Sequence, residues 1–379
     1  MQRVKPSASP RRSFLCARYT QLSACDTLTL VFSERIPLAP QTTLGIGGPA
    51  RFFCAPTTVS EVQGALLQAR SQHLPVFILG GGSNLVIADS GWPGLVLHPR
   101  LTTQSGLTAG AGIDWNTFVD RCVAQNLAGI ECLAGIPGTI GATPIQNVGA
   151  YGQEVSETIV SVLALNRQSL EVRTFSRDEC RFGYRQSRFN TDELGCWLIL
   201  EVTFSLKENA PPLLTYRDLT QYFGEQRRAS PNLTEVAAAV RQIRAKKGMV
   251  VDAADPDSRS AGSFFKNPIL DATKAPADAP CFSQPDGSVK VPAAWLIERS
   301  GLSRGQTLAG GIGLSSKHIL ALVNQGTGTA ADVVEAAKRV QKHVHQHWDI
   351  ILHPEPIFVG FPPETQLPEG ATAITATSS

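Results

Sequence analysis

Between Gly129 and Gly152 the chain reads GIECLAGIPGTIGATPIQNVGAYG, with glycine at 129, 135, 138, 141, 149 and 152, proline at 137 and 144, and the amide pair Gln146-Asn147. Glycine admits backbone conformations that other residues resist and proline removes a ladder donor, so the run fits neither a helix nor a regular strand. It is also too apolar for a solvated linker. A loop moulded around a ligand, with a flat and partly polar ring system packed against backbone, satisfies both features. An irregular buried loop without a guest is the plainer alternative.

A second glycine cluster, Gly80-Gly-Gly-Ser-Asn84, separates the apolar runs Val76-Phe-Ile-Leu79 and Leu85-Val-Ile87. A Rossmann fingerprint would need glycine where Leu85 stands, and a helix after it. Neither is present. Three glycines between short strands can still bring backbone N–H groups together on an anion, so a pyrophosphate nest and a simple tight turn are both open.

Around these loops the pattern is that of a folded chain with several cores. Its 379 residues are 42% apolar and 17% charged, which suits two or three compact units rather than disorder. Thr58 to Glu61 reads as a capping box opening a surface helix, and Asp114 caps a run with Trp115, Phe118, Val119, Cys122 and Val123 on one face. Residues 154 to 205 alternate β-prone runs with polar turns and predict a mixed sheet. Pro211-Pro212 suggests a domain boundary near 212, followed by a helix from Asn232 that ends basic at Arg241, Arg244, Lys246 and Lys247 before Gly248. A long helix over 330–348 and a strand before Pro354 are expected to close the last unit.

The balance of 34 Lys and Arg against 32 Asp and Glu gives no field for a nucleic-acid backbone or an anionic membrane. No apolar stretch is long enough to span a bilayer, so neither a membrane nor a nucleic acid is expected as a partner. The eight cysteines are scattered without a CxxC pair, which suits reduced thiols in the cytoplasm and gives no zinc site. His343 and His347 could share a helix face but lack a third ligand, so no metal is assigned. Residues 1–25 are basic and serine-rich without a sustained amphipathic period, and are read as a disordered extension rather than a transit peptide. The Pro, Thr, Ala and Ser-rich stretch from Pro362 to Ser379 is read as a floppy tail.

Six stretches, taken in order, carry a specific resemblance: Gln41-Thr-Thr-Leu-Gly-Ile-Gly-Gly-Pro-Ala-Arg51, GGGSNLVIAD, AGIPGTIGATPIQNVGAYG, Cys180-Arg-Phe-Gly-Tyr-Arg185, Ala261-Gly-Ser-Phe-Phe-Lys-Asn-Pro268 and His353-Pro-Glu355. Over about residues 40 to 360 the chain resembles the UDP-N-acetylenolpyruvoylglucosamine reductases. The resemblance implies an α+β protein in which a two-subdomain FAD-binding fold of the vanillyl-alcohol-oxidase type is followed by a C-terminal α+β substrate-binding domain. The expected divisions are an extension over 1–30, FAD-binding subdomains over 31–99 and 100–212, a substrate domain over 213–361 and a tail over 362–379. The implied reaction uses FAD, with NADPH as hydride donor, to reduce an enolpyruvyl ether on a nucleotide sugar to a lactyl ether in peptidoglycan precursor synthesis. A monomer is expected.

Residue by residue, the resemblance implies FAD contacts from Gly80, Gly81, Gly82, Ser83 and Asn84, and from Ile136, Pro137, Gly138, Gly141, Ala142, Gln146, Asn147, Gly149 and Ala150. Arg185 and Glu355 match the family's polarising pair, and Ser263 its proton donor. Hydride arriving at the terminal carbon pushes charge into the substrate carboxylate, which a guanidinium fork and an acid can meet. For Glu355 to help rather than repel, its pKa is expected to be raised. Tyr184, Tyr216, Lys247, Asn267 and His318 match substrate contacts, Tyr216 on the uracil side and Lys247 on the pyrophosphate, with a mobile loop from about 211 to 224. Asn190 and His318 depart from the family's more usual lysine and glutamine. Taken singly, Arg185 could hold a surface ion pair, Ser263 could cap a helix from Phe264, and Glu355 could be a solvated loop acid. An oxidase on the same scaffold, with FAD tethered through a His or Cys near the glycine loop, and a non-catalytic nucleotide-sugar binder are the competing functions; the nearest candidate tether, His73, precedes the strand.

Overall fold

The computed structural model describes residues 30–376; the N-terminal segment up to residue 29, expected to be an extension, and the last three residues lie outside the described residues. The first layer is a four-stranded sheet in which Pro49–Cys54, Trp92–Leu97 and Val76–Ile78 run parallel and Ser33–Pro37 pairs antiparallel at one edge. Helix α1 (Val59–Ser71) starts where the capping box places it: the Thr58 hydroxyl accepts from the Glu61 N–H, and the Glu61 carboxylate accepts from the Thr58 N–H. Such a cap stabilises a helix by about 1 kcal/mol. Val62, Ala65, Leu66 and Ala69 of this helix meet Leu95 and Leu97, and Leu165, Leu198 and Leu200 from the next layer join the same cluster.

That second layer is a five-stranded sheet of Gln104–Ser105, Thr108–Gly110, Trp197–Phe204, Ile159–Asn166 and Val172–Ser176, and every pairing in it is antiparallel. The mixed sheet expected here is thus corrected. Strands 159–166 and 172–176 are joined by a short turn, which permits only a hairpin. Helix α2 (Trp115–Ala124), capped by Asp114 through the Thr117 N–H at 2.8 Å, buries all five residues of the predicted stripe.

Helices α3 (Arg217–Glu225) and α4 (Leu233–Lys246) contribute Leu219, Phe223, Val236, Val240 and Ile243 to the core of this second layer. The packing therefore runs straight past residue 212: the proline pair marks a loop, and both the helix expected from Asn232 and α3, which the sequence suggests only as a loop, belong to the second core. The half of the 211–224 segment from Arg217 onward is helix rather than loop.

The third core gathers Leu296 from α5 (Ala293–Arg299), Ile312 and Leu322 from an antiparallel sheet, Val333 and Val340 from α6 (Ala330–Trp348), and with them Phe264, Phe265 and Phe358. The strand expected before Pro354 forms after it, at Ile357–Val359, because Leu352 packs into this core as irregular backbone and Pro354 makes only an isolated bridge to Phe265. Strand 357–359 runs parallel to Leu85–Ile87 on one side and to Thr372–Ile374 on the other. The tail expected to be floppy is thus ordered through Ala376: a ready sheet edge and the apolar Leu367, Ala371, Ala373 and Ile374 offset its polar composition. Among the described residues no helix is long and apolar enough to cross a membrane.

Candidate active site

Two cavities meet beneath the glycine loops. The larger, about 300 Å³, is lined by Gly80, Gly81, Gly82, Ser83 and Asn84 from one loop and by Ile136, Pro137, Gly138, Gly141, Ala142 and Gln146 from the other. Trp92, Trp115 and Trp197 add flat apolar walls, and Arg167 reaches its edge. The two loops touch backbone to backbone. A Cβ on Gly81 would lie 2.5 Å from the Gly138 Cα, and Gly82, at φ +65°, would drive one to 1.8 Å from the Gln41 carbonyl oxygen. Side chains here would force the walls apart, which is why glycine occupies these positions. Ser83 Oγ donates to the Pro137 carbonyl at 3.0 Å and locks the loops together.

These features fit FAD. The walls suit flat rings, the glycine loop offers backbone to a pyrophosphate, and Arg167, which donates to the Gly195 and Val76 carbonyls, keeps a buried Nε with no protein partner. We expect Gly81→Ala to weaken FAD binding at least about tenfold, or ~1.4 kcal/mol, by prising the loops apart. Fluorescence titration of the apoprotein measures this, and unchanged affinity would mean that the close approach is dispensable.

The smaller cavity, about 150 Å³, shares Ser83, Asn84, Ile136, Pro137, Gln146 and Val148 with the first and adds Gly149, Ala150, Arg185, Ser263 and Glu355. Arg185 and Glu355 form an ion pair at 3.1 Å from Nε to Oε1, with side chains only 21% and 18% exposed. Arg185 also donates to the Gly149 carbonyl at 2.7 Å. Its backbone is left-handed, at φ +56°, in a tight turn that Asn190 braces by donating to the Arg185 carbonyl and accepting from the Ser187 N–H. Asn190, the departure noted in the sequence, thus supports the arginine from behind.

Ser263 and Glu355 lie on neighbouring stretches of chain: the Glu355 N–H donates to the Phe264 carbonyl, and the Lys266 N–H to that of His353. No helix begins at Phe264, so Ser263 caps nothing, and Glu355 is not a solvated acid. Burial pushes the Glu355 carboxyl above its ordinary range, against the opposing pull of Arg185 and Lys266. Ser263 Oγ sits 3.3 Å from His318 Nε2. Burial, aided by Lys247, Arg304 and Arg244, lowers the His318 pKa to about 4, so this imidazole is neutral at physiological pH.

The remaining expected contacts are placed less uniformly. Asn147 lines neither cavity: only 1% exposed, it donates to Glu154 and to the Gly183 carbonyl and accepts from the Ser156 N–H, so its amide is consumed in holding the loop. Asn267 Oδ1 accepts the first N–H of α5. Tyr184 lies against the Arg185 guanidinium, whose carbon is 5.3 Å from the ring centre. Tyr216, 43% exposed, meets Tyr151 edge-on, and Lys247 pairs with Asp218 at 2.6 Å. The sequence reading missed Arg244, a buried cation on the wall of the smaller cavity that holds the Gly135 and Met249 carbonyls. Its place in a basic helix end disguised it as a helix-terminus charge.

Fold and cavities together define a flavoprotein with an FAD-binding part and a separate C-terminal domain. Residues 50–174 match the FAD binding domain family, and residues 255–359 match the C-terminal domain of UDP-N-acetylenolpyruvoylglucosamine reductase. A UDP-N-acetylenolpyruvoylglucosamine reductase from Thermobifida fusca is 41% identical over 357 residues, covering 88% of this chain and 99% of that one. Another, from Streptomyces coelicolor, is 43% identical over 344 residues, covering 86% and 89%. The crystal structure of the Thermus caldophilus UDP-N-acetylenolpyruvylglucosamine reductase superposes with a TM-score of 0.62 at 26% identity, covering 86% of this chain and 99% of that one. The chain belongs to the UDP-N-acetylenolpyruvoylglucosamine reductase family.

Proposed function

We propose that this protein reduces UDP-N-acetylglucosamine enolpyruvate to UDP-N-acetylmuramate, with FAD as its resident cofactor and NADPH as the source of hydride, in the synthesis of peptidoglycan precursors. The observation that carries the reading is that Arg185, Glu355 and Ser263, distant in sequence, line one cavity that shares a wall with the FAD cavity. Bound FAD supplies the hydride; the chain's own side chains manage the charge and the proton. Arg185 orients the substrate carboxylate and, with Glu355, whose buried carboxyl is harder to ionise than usual, takes up the negative charge that accumulates there as the alkene is reduced. Ser263 returns a proton to the adjacent carbon. Neutral His318 does not draw that proton away at physiological pH, and as an N–H donor it would stabilise the serine oxygen once the proton has left. Lys247, with Tyr216 and Tyr151 beside it, is the proposed grip on the nucleotide, and would exchange Asp218 for the pyrophosphate.

The test is a visible spectrum of the purified protein. Flavin absorbance is expected to bleach with NADPH and to return when the enolpyruvyl nucleotide is added under anaerobic conditions. Bleaching that the nucleotide cannot reverse would rule the reading out, and flavin that survives acid precipitation on the protein would favour an oxidase with tethered cofactor. Within this reading the protein works in the cytoplasm, with which the free cysteines among the described residues agree, and as a monomer, which gel filtration checks.

A further inference from the structure

The matched C-terminal family domain stops at residue 359, yet the chain continues in ordered form to Ala376, and Ala373, Ile374 and Thr375 line the larger cavity. We propose that the segment from Leu367 to Ala376 is a built part of the FAD site, closing one wall of the cofactor cavity and setting how fast FAD leaves. Three sets of contacts hold it there. At its start, the buried Gln341 side chain on α6 clamps Glu369 in both directions, donating to its carbonyl at 2.8 Å and accepting its N–H at 3.2 Å. In its middle, Thr372–Ile374 adds to the edge of Ile357–Val359, and the Gly360 N–H donates to the Ile374 carbonyl at 3.0 Å. At its end, Ile374 and Ala376 pack against a separate cluster of Leu38, Phe77, Ile87 and Trp92, so one side of the segment is anchored in the third core and the other against residues of the first sheet.

The register places the segment beside the cofactor. Thr372 lies opposite Ile357, which lies opposite Leu85, the residue that follows the glycine loop. Two strand spacings, about 10 Å, separate the segment from that loop across the sheet. The segment also reaches the catalytic cavity indirectly: Gly370 approaches His353 so closely that a Cβ would lie 2.6 Å from the ring, two residues before Glu355. With only three ladder residues on an outer strand, the segment can open without breaking a long ladder, so its packing sets how readily this wall yields.

The experiment compares FAD release from the full holoprotein, from a chain ending after Gln366, and from Ile374→Asp. Each is diluted into buffer, and free flavin is followed by its rising fluorescence. Both altered proteins are expected to lose FAD about tenfold faster than the full chain, with apoprotein melting temperatures that fall less than those of the holoproteins. A shortened chain that folds and releases FAD at the full chain's rate would overturn the proposal. If the shortened chain does not fold, Ile374→Asp decides on the same measurement: unchanged release overturns the proposal and faster release supports it.

Discussion

Ser263→Ala is expected to leave flavin bleaching by NADPH intact while slowing its recovery with the enolpyruvyl nucleotide by at least about 100-fold, the scale of lost general-acid assistance. The split follows from where the serine sits. It lines the smaller cavity and not the larger one, so its loss leaves the FAD walls untouched. Serine is a weak acid, and in the proposed role it would serve only because a localised carbanion is a far stronger base and because both would be held dry and aligned. The neighbouring His318 strengthens the case: with its pKa lowered to about 4, it is too weak a base to compete for the hydroxyl proton. His318→Gln, which keeps an N–H donor of similar reach, should retain most of the recovery rate. Stopped-flow traces of the two half-reactions separate the cases, and equal slowing of both in Ser263→Ala would contradict the assignment.

Local elements were legible in the sequence wherever their determinants are local. The Thr58 box, the Asp114 cap, the Trp115 to Val123 stripe and the bounds of α6 are all set by near neighbours, and the structure has them. The two glycine loops could be singled out because their residues make sense only against a close partner, and Gly81 against Gly138 is that partner. Long-range partnerships were not legible. The tail strand exists because a sheet edge awaits it more than a dozen positions earlier in the chain, and α3 and α4 join the second core because of surfaces built far upstream. Composition also misled at Arg244 and Asn147, one a buried cavity wall within a basic run and the other a structural amide inside a ligand loop. The grouping of Arg185, Ser263 and Glu355 could be inferred from family motifs, since nothing in their spacing brings them together.

Arg185→Lys should lose on the order of 3 kcal/mol of transition-state stabilisation, because an ammonium cannot face Glu355 and the substrate carboxylate with the same planar fork. The loss should fall on the recovery half-reaction, and a lysine variant with full activity would remove Arg185 from the mechanism. Its partner allows an independent check that needs no substrate. The Glu355 carboxyl is harder to ionise in the folded chain than in the unfolded one. Its favourable contribution is therefore complete below the ordinary carboxylate range and is lost as pH rises through the raised folded value. Glu355→Gln cannot ionise and escapes that loss. The melting temperature of Glu355→Gln relative to the parent should accordingly climb as pH is raised from the acid side towards neutrality, while its substrate turnover drops. A difference that stays flat with pH would mean that the carboxyl ionises as easily inside the cavity as outside it, and a glutamate of that kind would repel the charge it is proposed to receive.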